Sequence, residues 1–323
     1  MARKGNKKSS LLEIIIGLVL LALIIFAGSR VDTSIINDFL NIESNSLENV
    51  ETIPGQNTTP TAVDGNLVID YIDVGQGDSI LIRQGEHAML IDGGTSESKD
   101  TILDFLEDEN VDHLDYIVGT HPHEDHIGSL DDVVTAIDFD TILFPKVTTT
   151  TKTFENLVLA VQNKGKKFKT PVVGEKYSLG GARFIILAPN SASYQSLNNY
   201  SIVIKMTYGT NTFMFTGDAE TLSEKEILAL GYDLSADVLK LGHHGATTST
   251  SQKFLDAVNP KYAIISCGKN NTYKHPTKTT MDKMVKMQID VYRTDEQGTI
   301  ELVSNGETIT FNVEPGSYSY MGG

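Results

Sequence analysis

Apolar positions along the chain fall into short blocks whose period switches between two and about 3.6 residues. "LVIDYIDV" (67–74), "SILIRQ" (79–84) and "AMLIDGG" (88–94) read as strands, the last two joined by a tight turn at Gly85. "DTILDFLEDEN" (100–110) places Ile102, Phe105 and Leu106 at helical spacing, and "LDYIVGT" (114–120) is a buried strand running straight into His121. This alternation predicts an α/β domain that begins near Leu67.

The later half repeats that order. "SILIR" at 79–83 returns as "SIVIK" at 201–205, and "DYIVGTH" at 115–121 returns as "DVLKLGH" at 237–243, each pair 122 positions apart. Each copy runs hairpin, Asp-Gly turn, helix, strand, histidine, with Asp92 in the first turn and Asp218 in the second. Amphipathic strands resemble one another, so the repeat is weak by itself. A strand ending on a histidine in both halves nevertheless predicts two half-sites meeting at one edge of a sheet sandwich.

A different pattern stands at the N-terminus, where Arg3, Lys4, Lys7 and Lys8 precede an apolar run from Leu11 to Ala27 broken only by Glu13. The run can just span a hydrocarbon core and exceeds the usual signal-peptide core of about 7–15 residues, so it reads as one uncleaved transmembrane helix with its basic flank inside. The alternative is a signal peptide cleaved near "AGS" at 27–29. Either way the remainder is expected outside the cytoplasm, on a single-pass cell-membrane protein in the first reading. Residues 31–65 are rich in Asn, Ser, Thr and Pro and lack periodicity, apart from a candidate short helix in "SIINDFLNI". The expected organisation is a basic flank and anchor (1–30), a polar linker (31–65), the α/β domain (66–315) and a tail (316–323).

Charge and cysteine content narrow the chemistry. Residues 1–30 carry a net +4, so the total of −16 leaves −20 for the exported part. A broad polyanion groove would need the opposite sign, because Lys and Arg supply affinity for phosphate chains. The single cysteine, Cys267, excludes a disulfide framework and a thiolate zinc cluster; it reads as a small apolar core residue. Any metal site must be built from His, Asp and Glu.

Such a site is present in "THPHEDHIGS" (120–129), which packs three of eight histidines and two carboxylates into six positions. The HExxH spacing of a zinc helix is absent, and Pro122 discourages a helix here. In a non-helical loop His121 and His123 would face one metal, and Asp125 and His126 a second. Two cations roughly 3.5–4 Å apart need a bridging carboxylate, and Asp218 in "MFTGDAE" is the candidate. His243 in "KLGHHGATTSTS" holds the register of His121 and is a further candidate ligand, with His244 beside it as the rival. Imidazole and carboxylate without thiolate predict two divalent ions, Zn²⁺ first and Mn²⁺ second.

At these residues the chain resembles the metallo-β-lactamase superfamily, in particular the hydrolase domain of the ComEC/Rec2 competence proteins. The resemblance covers about residues 67–312 and rests on "DVGQGDSILI", "LIDGG", "THPHEDHIGSL", "NNYSIVIKM", "FTGDAE", "LKLGHHGATTSTS" and "YKHPT" in that order. It implies an αββα four-layer sandwich with a two-metal hydrolase site at one edge, and a supporting role for Asp92 behind the ligands. Many members have a further histidine ligand where this chain has Asn198 and Asn199, as the ComEC-like branch also does. That branch often has aspartate in place of His123. The resemblance also marks His275 in "YKHPT" as a substrate contact, although a lone histidine is more often structural. Asn198 reads either as a strand cap or as a site residue, and Gln76 and Asp78 either as an ordinary turn or as part of the site.

The expected activity is metal-dependent hydrolysis by a hydroxide shared between the metals, with Asp125 orienting it and His275 or Asn198 donating to charge developing in the transition state. A dinuclear clamp suits in-line displacement at phosphorus, so a phosphodiesterase or nuclease is favoured. The resemblance points to DNA degradation or phosphocholine ester cleavage. No second apolar run of spanning length follows the first, so the chain is not expected to be a DNA transporter by itself. Expected substrates are a small phosphodiester or a single-stranded nucleic-acid end; no protein partner is inferred. The rival class is a non-catalytic metal-binding surface module.

Overall fold

A computed structural model describes residues 64–320. The N-terminal apolar run, the linker up to residue 63 and its candidate helix lie outside the described residues. Among the described residues no helix is long and apolar enough to cross a membrane.

Two sheets form the domain. The first contains β1 (Leu67–Tyr71), β2 (Ile80–Gln84), β3 (His87–Ile91), β4 (His113–Val118), β5 (Asp138–Leu143), β6 (Phe168–Lys169), β14 (Ile300–Ser304) and β15 (Ile309–Phe311), in the spatial order β15-β14-β1-β2-β3-β4-β5-β6. The second contains β7 (Lys176–Leu179), β8 (Ala182–Ala188), β9 (Val203–Tyr208), β10 (Asn211–Phe215), β11 (Val238–Lys240), β12 (Tyr262–Ile265) and β13 (Asp290–Arg293), in the order β13-β12-β11-β10-β9-β8-β7. The duplicated order seen in the sequence has a structural counterpart. β1-β2-β3 pair antiparallel and β3-β4-β5 parallel; β8-β9-β10 pair antiparallel and β10-β11-β12 parallel.

The period of two in each strand divides the side chains between two faces. Ile80, Ile82, Met89 and Ile91 of the first sheet join Phe184, Ile204, Met206 and Phe213 of the second in one buried cluster. Neighbouring residues point outward and are covered by helices. On the second sheet Met214 and Leu239 pack with Ile227 of α5 (Thr221–Ala229), Phe254 and Leu255 of α6 (Gln252–Val258) and Met281 and Met284 of α7 (Lys278–Met287). On the first, Leu81, Leu90 and Ile117 are buried, as are Ile102 and Leu106 of α1 (Lys99–Asp108), Val133 and Val134 of α3 (Leu130–Ala136) and Leu157 and Val161 of α4 (Lys152–Asn163). Each such side chain stabilises by roughly 1.5–3 kcal/mol. The layers form a stiff αββα frame. A short helix, α8 (Thr294–Gln297), follows β13, and Arg293 beside it binds Asp295 and the carbonyl of Ser317.

The frame places its chemistry at one edge. The parallel neighbours β3 and β4 end at Asp92 and at Thr120–His121, while β10 and β11 end just before Asp218 and His243.

Candidate metal centre

Three loops are tied together before any side chain reaches the site. Asp78 N donates to Asp125 O (3.1 Å), Gly93 N to His126 O (2.6 Å) and Gly128 N to Gly94 O (2.8 Å). Gly77 makes the approach feasible, since its φ is 149° and a Cβ there would overlap the Asp125 carbonyl oxygen.

The "HPHEDH" segment departs from the expected open loop. Glu124–Ile127 form a single helical turn, α2, with His123 at its N-cap. Pro122 lies ahead of that turn, where a missing N–H disturbs no helical bond. The turn still separates the ligands as the spacing required. His121 Nε2 and His123 Nδ1 approach to 3.0 Å, whereas His126 Nε2 and Asp125 Oδ2 lie on another side, 4.0 Å apart.

Asp218 joins the two groups. Its Oδ2 lies 3.8 Å from His121 Nε2, and its Oδ1 lies 3.2 Å from His126 Nε2 and 3.6 Å from His244 Nε2. His244 Nε2 is also 3.3 Å from Asp125 Oδ2. Two ligand groups follow: His121, His123 and Asp218 at centre A, and Asp125, His126 and His244 with the other Asp218 oxygen at centre B.

The choice between His243 and His244 resolves into one residue per side. Both have left-handed backbones, with φ of 51° and 54°, a conformation that costs on the order of 1–3 kcal/mol each in a non-glycine residue. The reversal sends His244 to Asp218 Oδ1 and His243 Nε2 to Oδ2 at 3.6 Å, beside centre A. His243 thus stands on the side where the sequence lacks a third histidine.

A chain of outer partners fixes the ring orientations. Asp92, fully buried, accepts from Thr120 N and Thr120 Oγ1 (both 2.7 Å) and faces His126 Nδ1 at 2.8 Å. His244 Nδ1 lies 3.2 Å from Asp78 Oδ1 and 2.9 Å from the Ser266 carbonyl. Behind Asp78 stands Lys240, wholly buried, with Nζ 2.8 Å from both carboxylate oxygens. Such partners set the tautomer and basicity of a ligating imidazole. In the sequence Asp78 fits a turn as well as a site, and Lys240 carries no signal, since its strand "VLK" gives no sign of an ion pair 162 residues away.

The two expected substrate contacts have different surroundings. Asn198 is buried, and its Nδ2 lies 3.3 Å from both Glu220 Oε1 and His243 Nδ1. Its amide is therefore placed to orient His243. Asn199 binds Glu220 and accepts from Glu220 N and Ser223 N, at the start of α5. His275 packs edge-on against His243, ring centroids 5.2 Å apart, with a buried Nδ1 that has no hydrogen-bond partner. Burial, reinforced by His243 and His244, pushes the His275 pKa down to about 4, so its ring is neutral at neutral pH. Cys267 is buried and free, and burial raises its pKa.

Electrostatics divide the ligands. Burial, with the His126 charge, holds His121 well below the usual imidazole range, and burial also lowers His123. Burial acts the same way on His126 and His244 but is outweighed by Asp218 together with Asp92 or Asp78, so His126 lies well above that range and His244 near 10. Burial would raise Asp125 and Asp218, yet the neighbouring imidazoles keep both carboxyls well below theirs.

The residues fit a metal pair. His126 Nε2, His244 Nε2 and Asp218 Oδ1 are buried, mutually adjacent and without hydrogen-bond partners. An unmet buried polar atom costs about 1–3 kcal/mol, and three at one point are the signature of a ligand shell.

Comparison with known proteins agrees. The sequence pattern of the Metallo-beta-lactamase superfamily matches residues 72–269. ComE operon protein 3 of Bacillus subtilis is 31% identical over 265 residues, covering 76% of this chain and 34% of its own length. Competence protein ComA of Neisseria gonorrhoeae is 31% identical over 245 residues, 75% of this chain and 33% of that protein. The chain thus spans about a third of the length of these relatives. Igni18, a metallo hydrolase of the archaeon Ignicoccus hospitalis, superposes with a TM-score of 0.50 at 16% identity over 73% of this chain and 98% of its own, a likeness of fold.

Proposed function

The chain belongs to the metallo-β-lactamase superfamily, and from that premise we propose that it is a membrane-anchored, extracytoplasmic phosphodiesterase acting on small diesters or single-stranded nucleic-acid ends. The observation that carries the reading is Asp218, which turns one oxygen to each of two ligand groups. That arrangement suits the paired ions of an in-line displacement at phosphorus. A relative named for competence favours a nucleic-acid substrate. The N-terminal apolar run and its basic flank support the anchor.

Two divalent ions, Zn²⁺ or Mn²⁺, would supply water of lowered pKa and neutralise charge on the phosphate. The protein's own groups do the rest. His121, His123 and Asp218 hold one side, Asp125, His126, His244 and Asp218 the other, and Asp92 and Asp78 keep the His126 and His244 rings in place. Asp125 is ionised and partly exposed, so it can orient water at the mouth of the site. His275, neutral and adjacent, can donate a hydrogen bond to a phosphoryl oxygen. Asn198 acts through His243.

The part of the chain after residue 30 carries a net −20, which disfavours a long polyanion as substrate. Catalytic efficiency on a small diester should exceed that on long duplex DNA and change little between two salt concentrations. Preference for the duplex, collapsing as salt rises, would refute this substrate reading. Protease added to intact cells should remove the domain, and complete protection would refute the topology.

A further inference from the structure

At the rim of the site one side chain has no part in holding metal. Tyr273 is 66% exposed, more than any other large apolar side chain among the described residues. Its ring nonetheless lies against the site. It lies 6.0 Å from the His275 ring with planes 26° apart, and His275 lies 6.4 Å from the His244 ring with planes 25° apart. These separations are those of offset aromatic pairs. Three near-parallel rings thus lead from a ligand of centre B to solvent, ending on an uncovered tyrosine face. The loop beneath is braced: Asn271 donates to the carbonyls of Gly268 (2.9 Å) and His275 (2.6 Å) and accepts from His275 N (3.0 Å).

We propose that Tyr273 is a stacking platform for the nucleobase next to the scissile phosphodiester, an inference that rests on the phosphodiesterase reading above. Every nucleobase has a planar face, and one stacked on an aromatic side chain contributes about 1–3 kcal/mol with little sequence preference. A net-acidic domain gains little from a long run of phosphates, so an uncharged contact beside the metals adds affinity that charge does not supply. The platform stands two ring spacings out from His244, within reach of the base carried by a phosphate held at the centre. A trimethylammonium group would call for a cage of several aromatic faces, whereas this ladder offers one.

The chain contains no tryptophan, so Tyr273→Trp creates a single fluorescent reporter at the platform. With metal-loaded Y273W, thymidine 5′-monophosphate should quench the emission, while abasic deoxyribose 5-phosphate and phosphocholine should not. In parallel, the p-nitrophenyl diester of thymidine 5′-phosphate and its abasic counterpart are hydrolysed by wild type and Y273A. The ratio of kcat/KM for the base-bearing over the abasic diester should fall about tenfold in Y273A, through KM. An unchanged ratio, emission unaltered by the nucleotide, or quenching by phosphocholine alone overturns the platform. If wild type cleaves neither diester, the phosphodiesterase reading falls, and the fluorescence titration, which needs no turnover, still decides the platform.

Discussion

Replacing Lys240 by Met should destabilise the domain more than any exposed charge change, although Lys240 touches neither metal centre directly. The ammonium is fully buried, 2.8 Å from both Asp78 oxygens, with its third donor on the Leu241 carbonyl at 3.2 Å. Methionine fills similar volume and leaves the Asp78 carboxylate, 1% exposed, facing only His244. Removing one partner of a buried pair costs about 3–5 kcal/mol. At roughly 2–4 °C per kcal/mol for a domain of this size, Tm should fall by about 6–20 °C. The loss should depend on pH. Burial raises the Asp78 pKa, but Lys240 and then His244 outweigh it and bring it to about 2, below the ordinary carboxylate value of 3.8. A depressed carboxylate contributes stability above about pH 4 that disappears as pH falls through about 2, here about 2 kcal/mol. Without Lys240 that contribution is lost, so the gap between wild type and K240M should be widest near pH 7 and shrink toward pH 3. Urea unfolding of the metal-free proteins at both pH values measures it, and D78N/K240M should regain much of the loss by neutralising the stranded charge. K240M as stable as wild type at pH 7 would refute the reasoning.

Asp218→Ala should abolish the pairing of the metals and lower kcat/KM by more than about a thousandfold, beyond the 10–100-fold typical of outer partners; wild-type turnover would refute the bridging role. His244→Ala should leave one metal per chain by elemental analysis, whereas His243→Ala should keep two with centre A weakened. Because Asp218 holds His126 and His244 in their protonated forms against burial, loading centre B at pH 7 should release protons and tighten as pH rises, seen by calorimetry in buffers of different ionisation enthalpy. The raised pKa values set that sign, since a proton must leave each ring before a metal can bind; binding without proton release would contradict it.

Much of this site could be read from the sequence because metal chemistry crowds its ligands. No ordinary core or surface requires "HPHEDH" or "GHHG", and the period-two strands that end on them located the sheet edge. What could not be read was backbone geometry and distant pairing. Two consecutive left-handed residues decide which way His243 and His244 face, and left-handed histidines have no sequence signature. Pro122 disfavours a helix through its own position, but a helix can begin just beyond a proline, and α2 does. Lys240 looked like one polar position in an apolar strand because its partner is 162 residues away, and Asn198 found its role only once Glu220 and His243 closed around it.

If two metals held through Asp218 hydrolyse a phosphodiester, their number sets the rate, and metal-stripped domain titrated with Mn²⁺ or Zn²⁺ while bis(p-nitrophenyl) phosphate hydrolysis is followed measures it. Activity should rise to a plateau at two equivalents per chain; a plateau at one equivalent, or no hydrolysis with both ions bound, would contradict it.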